Sequence, residues 1–265
     1  MSTASGLKIL VLGGTGFVGS RFIELALSRG HSIVSVSRRG AGAAASSNIT
    51  AGGSVKYVQG DATDANELAD VIKFEGLGSF DACFHSIGLL FDSESGLGSY
   101  NRLISGVGSV PRAGDSYDKV TTTTAFNAID ILCSTNNSSG DKKQKQIPFV
   151  FISAAEAGWS RPAPIGWLER YLVSKRVVET RLLSYGAEDS PIRPVILRPG
   201  LIYDRTKTAD LFKVAGSFVG YFAGLPFVSK PIEVRAVAAA ALRAFEEPSV
   251  RGIQTHKEME REKGR

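Results

Sequence analysis

Apolar positions along the chain fall in short continuous runs separated by glycine-closed amphipathic stretches, and this rhythm predicts the architecture. "LKILVLGG", from Leu7, is an unbroken apolar run ending in glycines, the pattern of a strand buried on both faces. In the following "FVGSRFIELALSRG", Phe17, Phe22, Ile23, Leu25 and Leu27 recur at approximately helical spacing before Gly30 closes the stretch. Further strands are predicted at "SIVSVSRR", "VKYVQGD", "FDACFHSIG", "IPFVFISA" and "RPVILRPGLIY". Helices are predicted at "TTTTAFNAIDILCST", "WLERYLVSKRVVETRLLSYG" and "IEVRAVAAAALRAFEE". Alternating strands and helices predict an α/β fold, a doubly wound parallel sheet covered on both faces.

Two stretches break the rhythm. Residues 40–54, "GAGAAASSNITAGGS", are low in complexity and read as a loop. Residues 91–116 form a connection long enough to be functional or disordered, and their position after the fourth strand puts them near the ligand-binding edge of the sheet. A boundary near Arg205 divides the chain into a nucleotide-binding domain, 1–205, and a small C-terminal region, 206–265, with a charged tail.

Composition narrows the function classes. The 43% hydrophobic and 22% charged content over 265 residues is that of an ordinary globular chain. The net charge of +5 is spread rather than gathered into a basic stripe with aromatics, which argues against nucleic acid. Cys83 and Cys133 have no partner at metal-ligand spacing, and His31, His85 and His256 form no cluster, so no metal is expected. "MSTASG" leaves no room for a cleavable signal before the first strand. That is compatible with a cytosolic protein, an internal targeting signal, or a presequence outside this sequence. The longest apolar segment, residues 214–228, is glycine-rich and shorter than a spanning helix; it reads as a buried segment or an interfacial patch.

Candidate chemistry begins at the first turn. Gly13, Gly16 and Gly19 have GxxGxxG spacing directly after a strand and opening a helix. The first glycine permits a tight turn, the second lets the backbone approach a pyrophosphate, and the third lets helix pack on strand. Free N–H groups at the helix start then face the phosphates. Thr15, Phe17 and Val18 belong to the same loop, and Ser86 and Gly88 end the fourth strand beside it. The second strand ends in Ser37-Arg38-Arg39, where an NAD-selective site would carry an acidic residue. Guanidinium groups there suit the 2′-phosphate of NADP(H), so NADP(H) is preferred and NAD(H) possible; the alternative is a solvated arginine pair. Asp61 either accepts from an adenine amino group or caps a helix.

These features resemble the short-chain dehydrogenase/reductase superfamily in its extended and atypical, epimerase/dehydratase-like branches. The resemblance rests on "GGTGFVG", "GD" at 60 and 61, "DACFHSIG", "YLVSK" and "LRPGLIYD", and runs to about residue 245. More narrowly, "HSIGLL", "SYDKVT", "FVFISAAE" and "RPGLIYD" are similar to atypical reductases associated with mitochondrial coenzyme Q biosynthesis and to the dehydrogenase-like accessory subunit of respiratory complex I. The resemblance implies a setting on the matrix side of the mitochondrial inner membrane, with cytosol or plastid as alternatives. It also implies protein partners in a membrane-associated complex and peripheral membrane contact.

Tyr171 and Lys175 lie one helical turn apart on one face. In the family's mechanism the tyrosine exchanges a proton with the substrate oxygen, and the lysine lowers its pKa and holds the nicotinamide ribose. The family's substrate-orienting hydroxyl falls on Ala154, with Ser153 beside it and Ser160 on the following loop. Ser153 serves only if the chain has already turned there, since neighbours on a strand face opposite ways. Thr121 stands where the family commonly has Asn. Pro199 and Gly200 line the nicotinamide or form a plain turn; Tyr203 and His85 read as packing residues. The expected function is an NADP(H)-binding accessory or regulatory component, linked to coenzyme Q biosynthesis. The alternatives are a free NADPH-dependent oxidoreductase of a quinone-related or isoprenoid carbonyl, or a complex I accessory subunit.

Overall fold

The computed structural model describes residues 6–40, 53–75, 80–98, 101, 111–137, 146–204 and 231–264. Most of the low-complexity stretch, much of the 91–116 connection, the boundary at Arg205 and the apolar segment 214–228 lie outside the described residues.

Six strands fall where the hydrophobic runs place them: β1 (Lys8–Leu12), β2 (Ser32–Ser37), β3 (Ser54–Gln59), β4 (Ala82–His85), β5 (Ile147–Ile152) and β6 (Ile192–Leu197). Helix α1 (Phe17–Ser28) follows β1, α3 (Thr124–Asn137) and α4 (Gly166–Leu183) flank β5, and α5 (Val234–Glu246) comes late in the chain. Helix α2 (Ala65–Glu75) is additional to the predicted elements. It buries Leu68 and Ile72, four residues apart, with Val71 partly buried against the same core. The last predicted strand ends at Leu197; a separate β7 (Ile202–Tyr203) pairs with β8 (Ile232–Glu233) in a small parallel ribbon. Proline and glycine at Pro199-Gly200 make that interruption, since proline donates no ladder bond. A seventh strand of the main sheet, β9 (Gly252–Gln254), was not anticipated, and the charged tail opens with a short helix α6 (His256–Glu260).

The sheet runs β3-β2-β1-β4-β5-β6-β9 and every pairing is parallel. This is the doubly wound order that reverses at β1 and opens a crevice at the carboxyl ends of β1 and β4. Side chains alternate along β1: Ile9 and Val11 join one core with Phe22, Ile23 and Leu27 of α1 and the alanine-rich face of α5. Leu10 and Leu12 face a second core under α2, α3 and α4.

The described part of the region after 205, expected as a small appendage, supplies α5 and β9 to the first core and the main sheet. Buried Arg193 on β6 anchors them. It donates to the Ala244 carbonyl at 2.7 Å and to the Val250 carbonyl, meeting the unpaired carbonyl end of α5 with a positive charge. Arg21 of α1 pairs with buried Asp204 at 2.8 Å and so ties the end of β7 to the glycine-loop helix.

Candidate cofactor-binding site

A cavity of about 500 Å³ opens at the carboxyl edge of the sheet. It is lined by Gly13 and Thr15 to Val18 from the glycine loop, Ser37 to Arg39 at the end of β2, and Asp61 after β3. Ser86 and Gly88 after β4, Ser153 after β5, Tyr171 and Lys175 of α4, and Pro199 and Gly200 after β6 complete the wall. Gly19, Thr121 and the exposed Ser160 of the sequence candidates are not on it.

The glycine loop is built from close backbone approaches. Gly13 has φ +87°, where a side chain would be strained, and its carbonyl accepts the Gly16 N–H at 2.8 Å. A Cβ on Gly19 would lie 2.3 Å from the Gly13 carbonyl oxygen, so Gly19 serves the packing of helix on strand. Gly14, which sequence spacing did not single out, is equally constrained: its Cβ would meet the Ser35 hydroxyl at 2.2 Å. The Ser86 hydroxyl donates to the Leu12 carbonyl at 3.0 Å and braces the loop. Helix α1 starts without a side-chain cap and without an acidic residue in its first turn. Its first N–H groups are therefore suited to an anion, and this donor set fits the pyrophosphate of a dinucleotide.

The end of the cavity beside β2 and β3 is more heavily charged than predicted. Arg38 donates to Asp115 at 3.0 Å, and Arg112, from the connection after β4, lines the same cavity. Asp61 accepts from the Thr63 N–H at 3.0 Å and hydroxyl at 2.9 Å, closing its own turn, while Asp64 caps α2 through Asn66 and Glu67. Asp61 is thus not the helix cap that sequence reading offered as one alternative. Partial burial raises the Asp61 carboxyl, but the two Thr63 bonds and the Arg38 and Arg112 charges outweigh it and hold the group below the usual range.

At the end of the cavity beside β5 and α4, Lys175 is buried and its Nζ donates to the Ile152 carbonyl at 2.8 Å. The ammonium also lies 4.8 Å from the Phe151 ring centre and 5.6 Å from that of Tyr171. Burial lowers its pKa to about 7, against the opposing charge of Glu179. Burial, followed by the charge of Glu156, pushes the Tyr171 hydroxyl above its ordinary range. His85 bonds the Thr124 hydroxyl at 2.9 Å; burial, then the charge of Lys175, lowers its pKa to about 3, so it is neutral. A π-helical turn, Asp118–Thr123, carries Thr121, whose buried hydroxyl has no protein partner.

The expected third hydroxyl is committed elsewhere. Ser153 follows β5, lies 2% exposed, and donates to Glu179 at 2.6 Å. Arg198 holds the same carboxylate through Nε at 2.9 Å and Nη2 at 2.6 Å. Arg198 lies within the quoted "LRPGLIYD", but its pairing with Glu179 carries no signal in the sequence, because the partners are on separate elements. Among the described residues no group of three or more His, Cys, Asp or Glu could hold a metal ion.

Sheet order, glycine loop and cavity define a Rossmann-type dinucleotide-binding protein with short-chain dehydrogenase/reductase architecture. The chain belongs to the NAD(P)H-binding family, whose model matches residues 13–248. It is 30% identical over 223 residues to MIOREX complex component 2 of Saccharomyces cerevisiae, covering 76% of this chain and 75% of the yeast protein. A short-chain type dehydrogenase/reductase from Mycobacterium ulcerans superposes with a TM-score of 0.67 at 20% identity, over 97% of this chain and 91% of that one. UDP-glucose 4-epimerase of Thermus thermophilus, solved with NAD, gives 0.58 at 20% identity, over 94% and 77%. These two likenesses establish the fold. No helix among the described residues is long and apolar enough to cross a membrane.

Proposed function

We propose that this protein holds NADP(H) as an accessory or regulatory component of a mitochondrial membrane-associated assembly, with binding more central to its role than turnover. The observation that carries this reading is the Ser153 hydroxyl, buried and donating to a Glu179 carboxylate already clasped by Arg198. An oxygen-orienting hydroxyl must offer its proton to the substrate, and this one is spent. The yeast relative is by name a component of a complex, which supports a role among protein partners. The coenzyme Q link rests on the sequence resemblance alone.

Bound in the cavity, a nicotinamide would supply or accept a hydride. The chain's own contributions are separable from that chemistry. The glycine loop and α1 would hold the pyrophosphate, Lys175 would face the nicotinamide ribose, and Arg38 and Arg39 would meet a 2′-phosphate. A second reading, a free oxidoreductase of a quinone-related carbonyl, draws on Tyr171 and Lys175 lining the same cavity as the glycine loop.

Fluorescence titration with NADPH and NADH, on wild type and Arg38→Ala/Arg39→Ala, tests the cofactor reading. NADPH should bind and lose its advantage in the double variant. Equal binding of both cofactors by wild type, or binding of neither, defeats the phosphate-reading role. A quinone screen with Tyr171→Phe as control tests turnover: a Tyr171-dependent rate on the scale of family enzymes would overturn the accessory role in favour of the second reading.

A further inference from the structure

The Arg38 contact has a chemistry of its own. The Asp115 side chain is 3% exposed, and its Oδ2 takes both the Arg38 Nη1 at 3.0 Å and the Arg112 backbone N–H at 2.9 Å. The turn around it is closed by the Asp115 N–H on the Arg112 carbonyl at 3.0 Å and passes through Gly114 at φ +80°. Ser93 fixes the same residue from the other side, its N–H and hydroxyl both donating to the Asp115 carbonyl at 3.1 Å. A carboxylate is therefore delivered, by a braced turn 77 residues away in sequence, onto the guanidinium that ends β2. Arg112 presents an exposed side chain on the same cavity wall.

We infer that Asp115 is a specificity-determining residue, an internal anion seated on Arg38 where the 2′-phosphate of NADP(H) would go, with Arg112 as the second cation of that subsite. The inference rests on the cofactor reading above and deepens it. NADP(H) must take Arg38 from Asp115, whereas NAD(H) leaves the pair intact. A phosphate dianion outbids a carboxylate for two guanidinium groups, but only after displacing a charge-assisted bond. The wild-type preference for NADP(H) is accordingly held down, and the braced turn is where the difference between the cofactors is felt.

The test is equilibrium titration of the full chain with NADPH, NADH, 2′,5′-ADP and 5′-ADP, on wild type, Asp115→Asn and Arg112→Ala. Asp115→Asn should tighten NADPH and 2′,5′-ADP by about tenfold, the order of one charge-assisted hydrogen bond released, and leave NADH and 5′-ADP unchanged. Arg112→Ala, at an exposed side chain with little risk to folding, should weaken only the two 2′-phosphorylated ligands, by several-fold; it decides the matter should Asp115→Asn fail to fold. Unchanged ratios in both variants, with dinucleotide still bound, overturn this inference and leave the cofactor reading standing. Weaker NADPH binding in Asp115→Asn also overturns it, making Asp115 an organiser of Arg38 instead. Binding of neither dinucleotide by wild type overturns both.

Discussion

Replacing Arg198 by methionine should be among the most damaging single changes in this protein, although it touches no residue of the glycine loop. Glu179 is 4% exposed and its carboxylate accepts three hydrogen bonds, two from Arg198 and one from Ser153. Arg198→Met leaves that carboxylate buried with only the Ser153 hydroxyl. Breaking a buried ion pair by removing one partner costs about 3–5 kcal/mol, because the remaining charge is uncompensated. Arg198 is itself 22% exposed, so water can reach part of the vacated space and the lower end, about 3 kcal/mol, is expected. Against a total stability on the order of 5–15 kcal/mol this is a large loss. At this chain length it corresponds to a fall of about 6–12 °C in Tm. Urea denaturation followed by circular dichroism gives the free energy directly. Arg198→Met/Glu179→Gln removes the stranded charge yet keeps an acceptor for Ser153, and should recover at least half of the loss. A cost below about 1 kcal/mol for the single variant, or a double variant no more stable than it, would refute the reasoning.

Lys175, with a pKa of about 7 in the fold against 10.5 unfolded, binds fewer protons folded than unfolded across that window. Its contribution to stability is therefore fully present above about pH 10.5 and lost as pH falls toward 7, a slope of up to about 1.4 kcal/mol per pH unit. Lys175→Met should flatten that slope between about pH 7 and pH 9 in paired urea titrations, and parallel curves would count against a neutralised lysine. Gly19→Ala places a Cβ 2.3 Å from the Gly13 carbonyl oxygen and 2.8 Å from the Gly14 Cα. Neither atom can give way, so thermal melts should show a loss of about 1–3 kcal/mol together with weakened dinucleotide binding. Gly16→Ala, with one contact at 3.0 Å to the same Gly13 carbonyl oxygen, should lose less stability than Gly19→Ala while losing affinity.

How much was legible in the sequence depended on the range of the interaction. Local signals carried well: the run from Lys8 to Leu12, the glycines that follow, and the helix that bears Tyr171 and Lys175 all stand where pattern put them. Strand β9 was hidden because three residues with a glycine among them carry no periodic signal, and what holds them is the distant strand β6. Helix α2 carries Leu68, Val71, Ile72 and Phe74, but it buries only Leu68 and Ile72 and leaves Phe74 exposed, so no wide apolar stripe marks it. The charge network resisted reading for a related reason. Ser153 could be weighed as a hydroxyl, but its commitment to Glu179, and that of Glu179 to Arg198, exist only once α4, β5 and β6 are brought together. Arg38 was legible as a cation after β2, whereas Asp115 lies in a connection whose path has no sequence signature.

Strand β9 also bears on how the protein can be handled. The family match stops at residue 248, ahead of β9, and a fragment cut at that homology boundary would look complete. It would lack the strand that pairs Val195 to Leu197, whose side chains are wholly buried, and the Val250 carbonyl that Arg193 holds. The result is an apolar strand with an open ladder of N–H and C=O groups, a template for other copies to add onto. The last few residues of the sheet thus work as a molecular edge guard, and fragments meant to stay monodisperse must reach beyond them.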